Sequence, residues 1–324
     1  MTDSFWSGNT LVPSWSSMIS HAWSGHPPKL LETIQSAKSQ RLPPGCVLKK
    51  LESSHVPALV EFWGRYFSIS SSCRCIVPAS HVNRMLSEKH WEGFVVIHAS
   101  GEVLGSIVRR LVKGLHVREA SWANAGAIDY FCVHPAWRKR GIGRCLLNHL
   151  HNAQGFPIPP HLIYWDTPQI RIPPMVQGVF LYRKTGGSAV AEQIKDAGKM
   201  REAWRDCVKG VDIWSDEPGE EISGWMSGER SGERSSANKP VIIWNTFHRA
   251  LPDGGLVGIV LSHSHEAAEA LAQMKSPWGV LLVPVRDPFT HSYGPEWKFN
   301  SVFQWIAYNL SVGFVSGSFP VVGF

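Results

Sequence analysis

The residues best suited to chemistry in this chain lie between Ile128 and Leu147. A short apolar run, Ile128-Asp129-Tyr130-Phe131-Cys132-Val133, passes through His134-Pro135 into Trp137-Arg138-Lys139-Arg140-Gly141-Ile142-Gly143-Arg144. Leu146, Leu147 and Leu150 then repeat at helical spacing. The order is strand, basic turn, helix. A helix N-terminus offers backbone N–H groups and a partial positive charge to an anion. The two glycines let a ligand approach the backbone, and Arg138, Arg140 and Arg144 can add charge-assisted contacts. Such a turn is suited to holding a pyrophosphate.

Other titratable residues carry less. Asp129 and Asp166 sit at strand positions, where each either approaches an amine substrate or accepts structural hydrogen bonds. His134 reads as a structural histidine at a strand end rather than a general base. His149 and His151 are two residues apart on a helix and do not share a face, which argues against a metal pair. Six cysteines (46, 73, 75, 132, 145 and 207) are scattered, and Cys73-Arg74-Cys75 lacks a partner pair at zinc-ligand spacing. That usage fits a reduced, intracellular protein with no metal.

The elements that must position the turn follow from periodicity. Residues 56–67 show an amphipathic helical pattern, and 94–98 and 103–108 read as two strands joined by a hairpin at Ser100-Gly101-Glu102. Residues 127–133 form the strand before the turn and 143–152 the helix after it. Residues 161–165 and 179–182 supply further strands. Residues 1–45, rich in Ser, Pro and Trp, read as an extended arm. The stretch 215–239, with Ser227-Gly228-Glu229-Arg230 repeated at once, reads as a flexible linker. Strands at 241–244, 256–261, 279–283 and 302–310, with a helix near 265–274, make a second, smaller sheet. The expected fold class is α/β (α+β), a mixed sheet flanked by helices. Its divisions are an arm at 1–45, a ligand-binding domain at 46–214, a linker at 215–239 and a smaller half at 240–324.

The bulk properties bound the function. At 324 residues, 44% hydrophobic and 18% charged, the chain can bury a large core. A formal charge of +6 and a pI near 9.0 favour an anionic partner. There is no basic stripe of the kind nucleic acid requires, so nucleic acid is excluded as the main partner. The N-terminus has no secretory pattern, and no window reaches the roughly 18 apolar residues of a membrane span. The expected location is the cytoplasm.

Arg138-Lys139-Arg140-Gly141-Ile142-Gly143 resembles the R-x-x-G-x-G/A signature of the GCN5-related N-acetyltransferase (GNAT) superfamily. Tyr182-Arg183-Lys184-Thr185-Gly186 is similar to its Y-x-K-x-G element. Read from end to end, the chain resembles a shortened N-myristoyltransferase, a family built from two GNAT-like halves. The likeness rests on Phe5-Trp6, Leu42-Pro43-Pro44-Gly45, Trp91-Glu92-Gly93-Phe94, Cys132-Val133-His134, Tyr164 and Phe303-Gln304-Trp305 through Asn309.

The resemblance implies an acyl-CoA co-substrate, myristoyl-CoA or acetyl-CoA. Val133, Arg138, Lys139, Arg140, Gly141, Ile142, Gly143 and Arg144 would hold it, and an arm carrying Phe5 and Trp6 would lie over it. It implies an oxyanion hole from the backbone N–H groups of Tyr130 and Phe131, with Tyr182 near the leaving thiolate. The C-terminal carboxylate of Phe324 would act as base, and Tyr164 and Asp166 would sit on the substrate side. The expected reaction is direct acyl transfer to the N-terminal glycine amine of a peptide or protein, without a metal. The alternatives are acetyl transfer from acetyl-CoA to an amine or protein, and a GNAT-fold binding protein without activity. The chain departs from the family in the turn, after Tyr164, in a shorter connection between the halves and in its linker. Both glycines of the turn are present where the family usually lacks them, and Trp165-Asp166 follows Tyr164 where the family places threonine.

Overall fold

The computed structural model describes residues 13–24, 29–31, 41–70, 73–77, 79–87, 91–117, 120–153, 160–165, 176–184, 212–215, 241–244, 248–250, 256–262, 280–285 and 295–311. The elements in chain order begin with α1 (Trp15–Ser24), β1 (Lys29–Leu30), β2 (Cys46–Lys50), α2 (Val56–Tyr66), β3 (Ser68–Ser70) and β4 (Cys73–Ile76). Next come α3 (Ala79–Ser87), β5 (Trp91–His98), β6 (Val103–Val117), β7 (Ala120–Val133), α4 (Ile142–Asn152), β8 (His161–Trp165) and β9 (Val176–Lys184). The second half is β10 (Asp212–Ser215), β11 (Val241–Trp244), β12 (His248–Ala250), β13 (Leu256–Ser262), β14 (Val280–Val285), β15 (Lys298–Tyr308) and β16 (Leu310–Ser311).

Two compact units divide the chain, and neither is continuous in sequence. The first comprises Met1–Phe67, Ala79–Val176 and Gln304–Phe319. Its strands run in the order β2-β5-β6-β7-β8-β15. All neighbours are antiparallel except β7 and β8, which are parallel. Side chains alternate across such a sheet, and both faces are covered. On one face α4 buries Ile142, Leu146, Leu147 and Leu150 against Phe94, Val96, Ile107, Ile128, Ile163 and Ile306. Each fully buried leucine or isoleucine there contributes about 1.5–3 kcal/mol. On the other, α2 buries Leu59, Phe62 and Trp63, with Pro57 pre-organising its first turn.

The second unit comprises Ser68–Pro78, Gln177–Phe303 and Pro320–Phe324. Within it, β9 pairs antiparallel with β14, β14 parallel with β13, and β13 antiparallel with β12 and β11. Tyr182 on β9 lies opposite Leu282 of β14.

The expected hairpin and the strand–turn–helix order are present, with longer strands. β6 and β7 extend as a paired ribbon through Val117↔Ala120, because cross-strand pairing carries through a charged stretch that breaks the apolar pattern. The N-terminal segment, expected from its composition to be extended, instead contains the helix α1. Ser14 accepts the Ser17 N–H through Oγ at 3.1 Å and so caps α1. Met18 is buried, and Ser17 Oγ bonds Ser311 Oγ at 2.9 Å. β1 then pairs antiparallel with β16. Burial of Met18 and the bond to Ser311 hold a serine-rich helix that intrinsic propensity disfavours. The helix near 265–274 and the linker beyond Ser215 lie outside the described residues.

Candidate active site

Three local features converge on the end of β7. The first is a gap. β7 and β8 pair only from Gly126↔His161 to Ile128↔Ile163, although β7 continues to Val133 and β8 to Trp165. The ladder between the two strands therefore ends at Ile128.

The second is a β-bulge at that same point. Ser106 of β6 faces Cys132 and Val108 faces Asp129, so Tyr130 and Phe131 together oppose Ile107. Tyr130 adopts φ +46°, a left-handed conformation that costs a residue with a side chain about 1–3 kcal/mol. Its ring is fully buried, stacked on Trp63 at 4.1 Å and tilted against Phe67 at 5.6 Å. Its carbonyl accepts from Ser106 Oγ at 2.9 Å, and Ser106 Oγ in turn accepts from Trp63 Nε1 at 2.8 Å. The Tyr130 N–H donates to Asp129 Oδ1 at 2.8 Å. Of the two N–H groups expected to form an oxyanion hole, that of Tyr130 is thus engaged by a carboxylate.

The third is the basic turn. His134 begins it, its Nδ1 accepting the Ala136 N–H at 3.2 Å while Nε2 contacts Tyr66 Oη at 3.0 Å. With Nδ1 as acceptor, the neutral ring carries its proton on Nε2 and donates to Tyr66. That is the structural role expected of it. Arg138 Nε donates to the Val133 carbonyl at 3.2 Å, tying the turn to the strand end. Lys139 and Gly141 have φ +63° and +87°, and glycine meets the second of these without strain. α4 starts at Ile142, one residue earlier than expected, and its first i−4 bond runs from Cys145 N–H to the Gly141 carbonyl at 2.9 Å. The N–H groups ahead of it, starting with Ile142 and Gly143, face out of the helix end. Arg138, Lys139 and Arg140 are exposed and Arg144 is half-buried. The Arg140 guanidinium lies 4.8 Å over the Trp137 ring, which keeps it extended over the turn. The Ile142 side chain is buried under the helix, so this residue reaches a ligand through its backbone.

Cys132 lies on the same strand, next to Val133. Burial pushes its thiol up to about 12 against the opposing pull of Arg138, so it stays protonated and unreactive near neutrality. Among the described residues, no group of three or more His, Cys, Asp or Glu is arranged to hold a metal, and no helix is long and apolar enough to cross a membrane.

Residues 90–186, spanning the hairpin, the bulged strand, the turn and α4, match the acetyltransferase (GNAT) domain family. This segment is a GNAT domain. Over nearly the whole chain, the fold is similar to that of N-myristoyltransferase from Saccharomyces cerevisiae with bound myristoyl-CoA. The TM-score is 0.63 at 10% identity, covering 98% of this chain and 92% of that one. A second crystal structure of the yeast enzyme with myristoyl-CoA gives 0.56 at 11% identity, covering 98% and 97%. A third, with myristoyl-CoA and inhibitors, gives 0.57 at 11% identity, covering 92% of each chain. At these identities the likeness is one of fold. No curated protein matches the chain.

The GNAT domain thus brings together Tyr130, Phe131, Val133 and the turn residues 138–144 on one strand–turn–helix unit. Tyr182, half-buried on β9, belongs to the other unit. Tyr164 is placed on β8 opposite Trp305. Phe5, Trp6, Asp166 and Phe324 lie outside the described residues. Trp63 and Ser106 were not singled out from the sequence. The available signal was Ser106 itself, a lone hydroxyl inside the apolar run Val103-Leu104-Gly105-Ser106-Ile107-Val108.

Proposed function

We propose that the chain is an acyl-CoA-dependent N-acyltransferase that moves a long, myristoyl-like acyl group from coenzyme A to the N-terminal glycine amine of a peptide or protein. The observation that supports this most directly is the continuity of bulge, basic turn and helix N-terminus within the GNAT domain. The diphosphate of the donor sits on the turn of Arg138, Lys139, Arg140, Gly141, Ile142, Gly143 and Arg144, with Val133 alongside. The pantetheine arm runs into the gap between β7 and β8, and the thioester oxygen faces the bulge. The acyl arm of the chain, Phe5 and Trp6, closes over the donor.

The reaction is a direct displacement. The amine nitrogen bonds to the thioester carbon, negative charge gathers on the oxygen and is met by backbone N–H groups, and the carbon–sulfur bond breaks. The proton of the attacking amine passes to the Phe324 carboxylate, and the thiolate collects one near Tyr182. Tyr164 and Asp166 line the amine side. The protonated Cys132 thiol supports a route without an acyl-enzyme. Acetyl transfer from acetyl-CoA is the second reading, favoured by the two glycines of the turn.

A mass-spectrometric transfer assay tests both, offering acetyl-CoA and myristoyl-CoA with peptides bearing an N-terminal glycine or an internal lysine. Transfer of the long chain to glycine is expected. Exclusive use of acetyl-CoA would replace this reading with the second. Extending the chain by a few residues past Phe324 should abolish transfer if the terminal carboxylate is the base, and an unchanged rate would assign the base elsewhere.

A further inference from the structure

His134 caps the entry to the basic turn with one ring nitrogen and reaches α2 with the other. We propose that His134 and Tyr66 are positioning residues for the donor, which hold the turn of Arg138, Lys139 and Arg140 in the shape that receives the phosphates of coenzyme A; this rests on the reading of the turn as the donor site.

His134 precedes Pro135, and a residue before proline is kept out of the helical region. Its φ of −49° and ψ of 128° place it ahead of a single 3-10 turn, Pro135–Trp137. The Ala136 N–H cannot be met inside so short a turn. His134 Nδ1 accepts it at 3.2 Å, as the side-chain oxygen of a serine or asparagine does at other helix starts. The Trp137 N–H then donates to the His134 carbonyl at 2.9 Å and the Arg138 N–H to the Pro135 carbonyl at 3.3 Å. The cap thereby fixes Trp137, over whose ring the Arg140 guanidinium lies at 4.8 Å.

Histidine adds what serine and asparagine lack, a second nitrogen across the ring. Nε2 lies 3.0 Å from Tyr66 Oη, and the two rings meet edge to face at 4.5 Å and 64°. Tyr66 ends α2, with its ring 5.4 Å from that of the buried Phe62. The Glu102 carboxylate, 3.6 Å from the same Nε2, is too far to accept a hydrogen bond, but its charge also favours the proton there. With Nε2 protonated, Nδ1 stays an acceptor and the cap holds. Turning the ring over, or moving the proton to Nδ1, breaks it. The turn needs this support because Lys139 sits at φ +63°, and such strain persists only where the surroundings over-determine it. The shape of the donor turn is therefore set from α2, through one imidazole, before a donor arrives.

The test is His134→Gln beside His134→Asn and Tyr66→Phe, with the Kd for coenzyme A measured by calorimetric titration and kcat and donor KM for each. Glutamine reaches toward Tyr66 and leaves the Ala136 N–H uncapped, whereas asparagine puts an acceptor where Nδ1 stands. One intramolecular hydrogen bond is worth roughly 2- to 10-fold in an equilibrium constant, so His134→Gln should weaken coenzyme A binding by about 3- to 10-fold. Donor KM should rise with it while kcat at saturating donor stays within about twofold. His134→Asn restores the cap and should bind within about twofold of wild type. Tyr66→Phe should fall between them, and it carries the test if His134→Gln does not fold. In 15N-labelled protein the His134 ring, identified by its loss in His134→Asn, should show the Nε2–H form and lose part of it in Tyr66→Phe. A folded His134→Gln that binds coenzyme A as tightly as wild type overturns the assignment while leaving the proposed reaction intact, and so does an Nδ1–H form in the wild type. Equal weakening in the glutamine and asparagine variants reduces His134 to packing and overturns it too. A wild-type chain that does not bind coenzyme A removes the donor site and this assignment with it.

Discussion

His151 illustrates how one side chain sets a condition on the whole GNAT domain. It sits in the last turn of α4, buried, with its ring 5.3 Å from that of Tyr308 and 5.8 Å from that of His161. Its Nδ1 has no hydrogen-bond partner among the described residues. Burial alone lowers its pKa from 6.5 to about 4. The unfolded chain therefore binds a proton on this residue near pH 6.5, while the folded one resists until about pH 4. Between those values the unfolded state holds more protons, so stability falls as pH falls, by about 3 kcal/mol in all. His151→Leu should remove that dependence. Urea midpoints for wild type and variant at neutral and mildly acidic pH would show it, with the two converging or crossing toward acid. Parallel midpoints at every pH would mean that His151 takes up its proton at the same pH in the folded and unfolded states.

At the scale of elements, the position of α4 on β6 decides where the ligand-facing turn lies. Gly105 makes that approach possible. A Cβ there would come within 2.9 Å of Ile142 Cγ2, 3.1 Å of Leu146 Cδ1 and 3.3 Å of the Cys132 carbonyl. Gly105→Ala should push the first two turns of α4 outward, costing on the order of 1–3 kcal/mol as overpacking. Because the N-terminus of α4 moves with it, acyl-CoA affinity should fall several-fold. Calorimetric titration alongside a thermal melt separates the two effects, and a lower melting temperature with unchanged affinity would dissociate the helix placement from binding.

This coupling explains what the sequence could and could not reveal. Arg138 through Gly143 was legible because a basic glycine turn between an apolar strand and a helical stripe is a local pattern. The longer strands β5 to β9, β11, β13 and β14 were legible for the same reason, whereas the short β1 to β4, β10, β12 and β16 were not, and the 302–310 strand, expected in the second sheet, pairs through Gln304–Tyr308 with β8 of the first unit. The bulge was not, because the extra residue at Tyr130–Phe131 exists only relative to Ser106 and Val108 on another strand. Ser106 and Trp63 were hidden in the same way, forty-three positions apart yet joined by a hydrogen bond. α1 escaped notice because its serines favour caps and turns over helix interiors, and its hold on the fold comes from Ser311 near the far end of the chain.

Across the whole molecule, the surplus of positive charge has a consequence for the rate at which a donor arrives. Lys and Arg total 32 against 26 Asp and Glu, giving a formal charge of +6. Arg138, Lys139 and Arg140 sit exposed in one turn, at the end of a helix whose dipole adds to their field. Coenzyme A carries its negative charge on phosphates, so attraction and local field act together, and both are screened over a Debye length of about 10 Å at 0.1 M salt. Raising sodium chloride from about 50 to about 500 mM should therefore weaken donor binding by roughly 3- to 10-fold, chiefly through slower association. Burial of the apolar acyl chain is not screened by salt and should add no such dependence. Stopped-flow association of acetyl-CoA and myristoyl-CoA over that range distinguishes the contributions. Both donors should share one salt dependence in the association rate and differ in dissociation, because they share the phosphates and differ only in the acyl group. A salt-independent association rate would place the donor phosphates away from the turn of Arg138, Lys139 and Arg140.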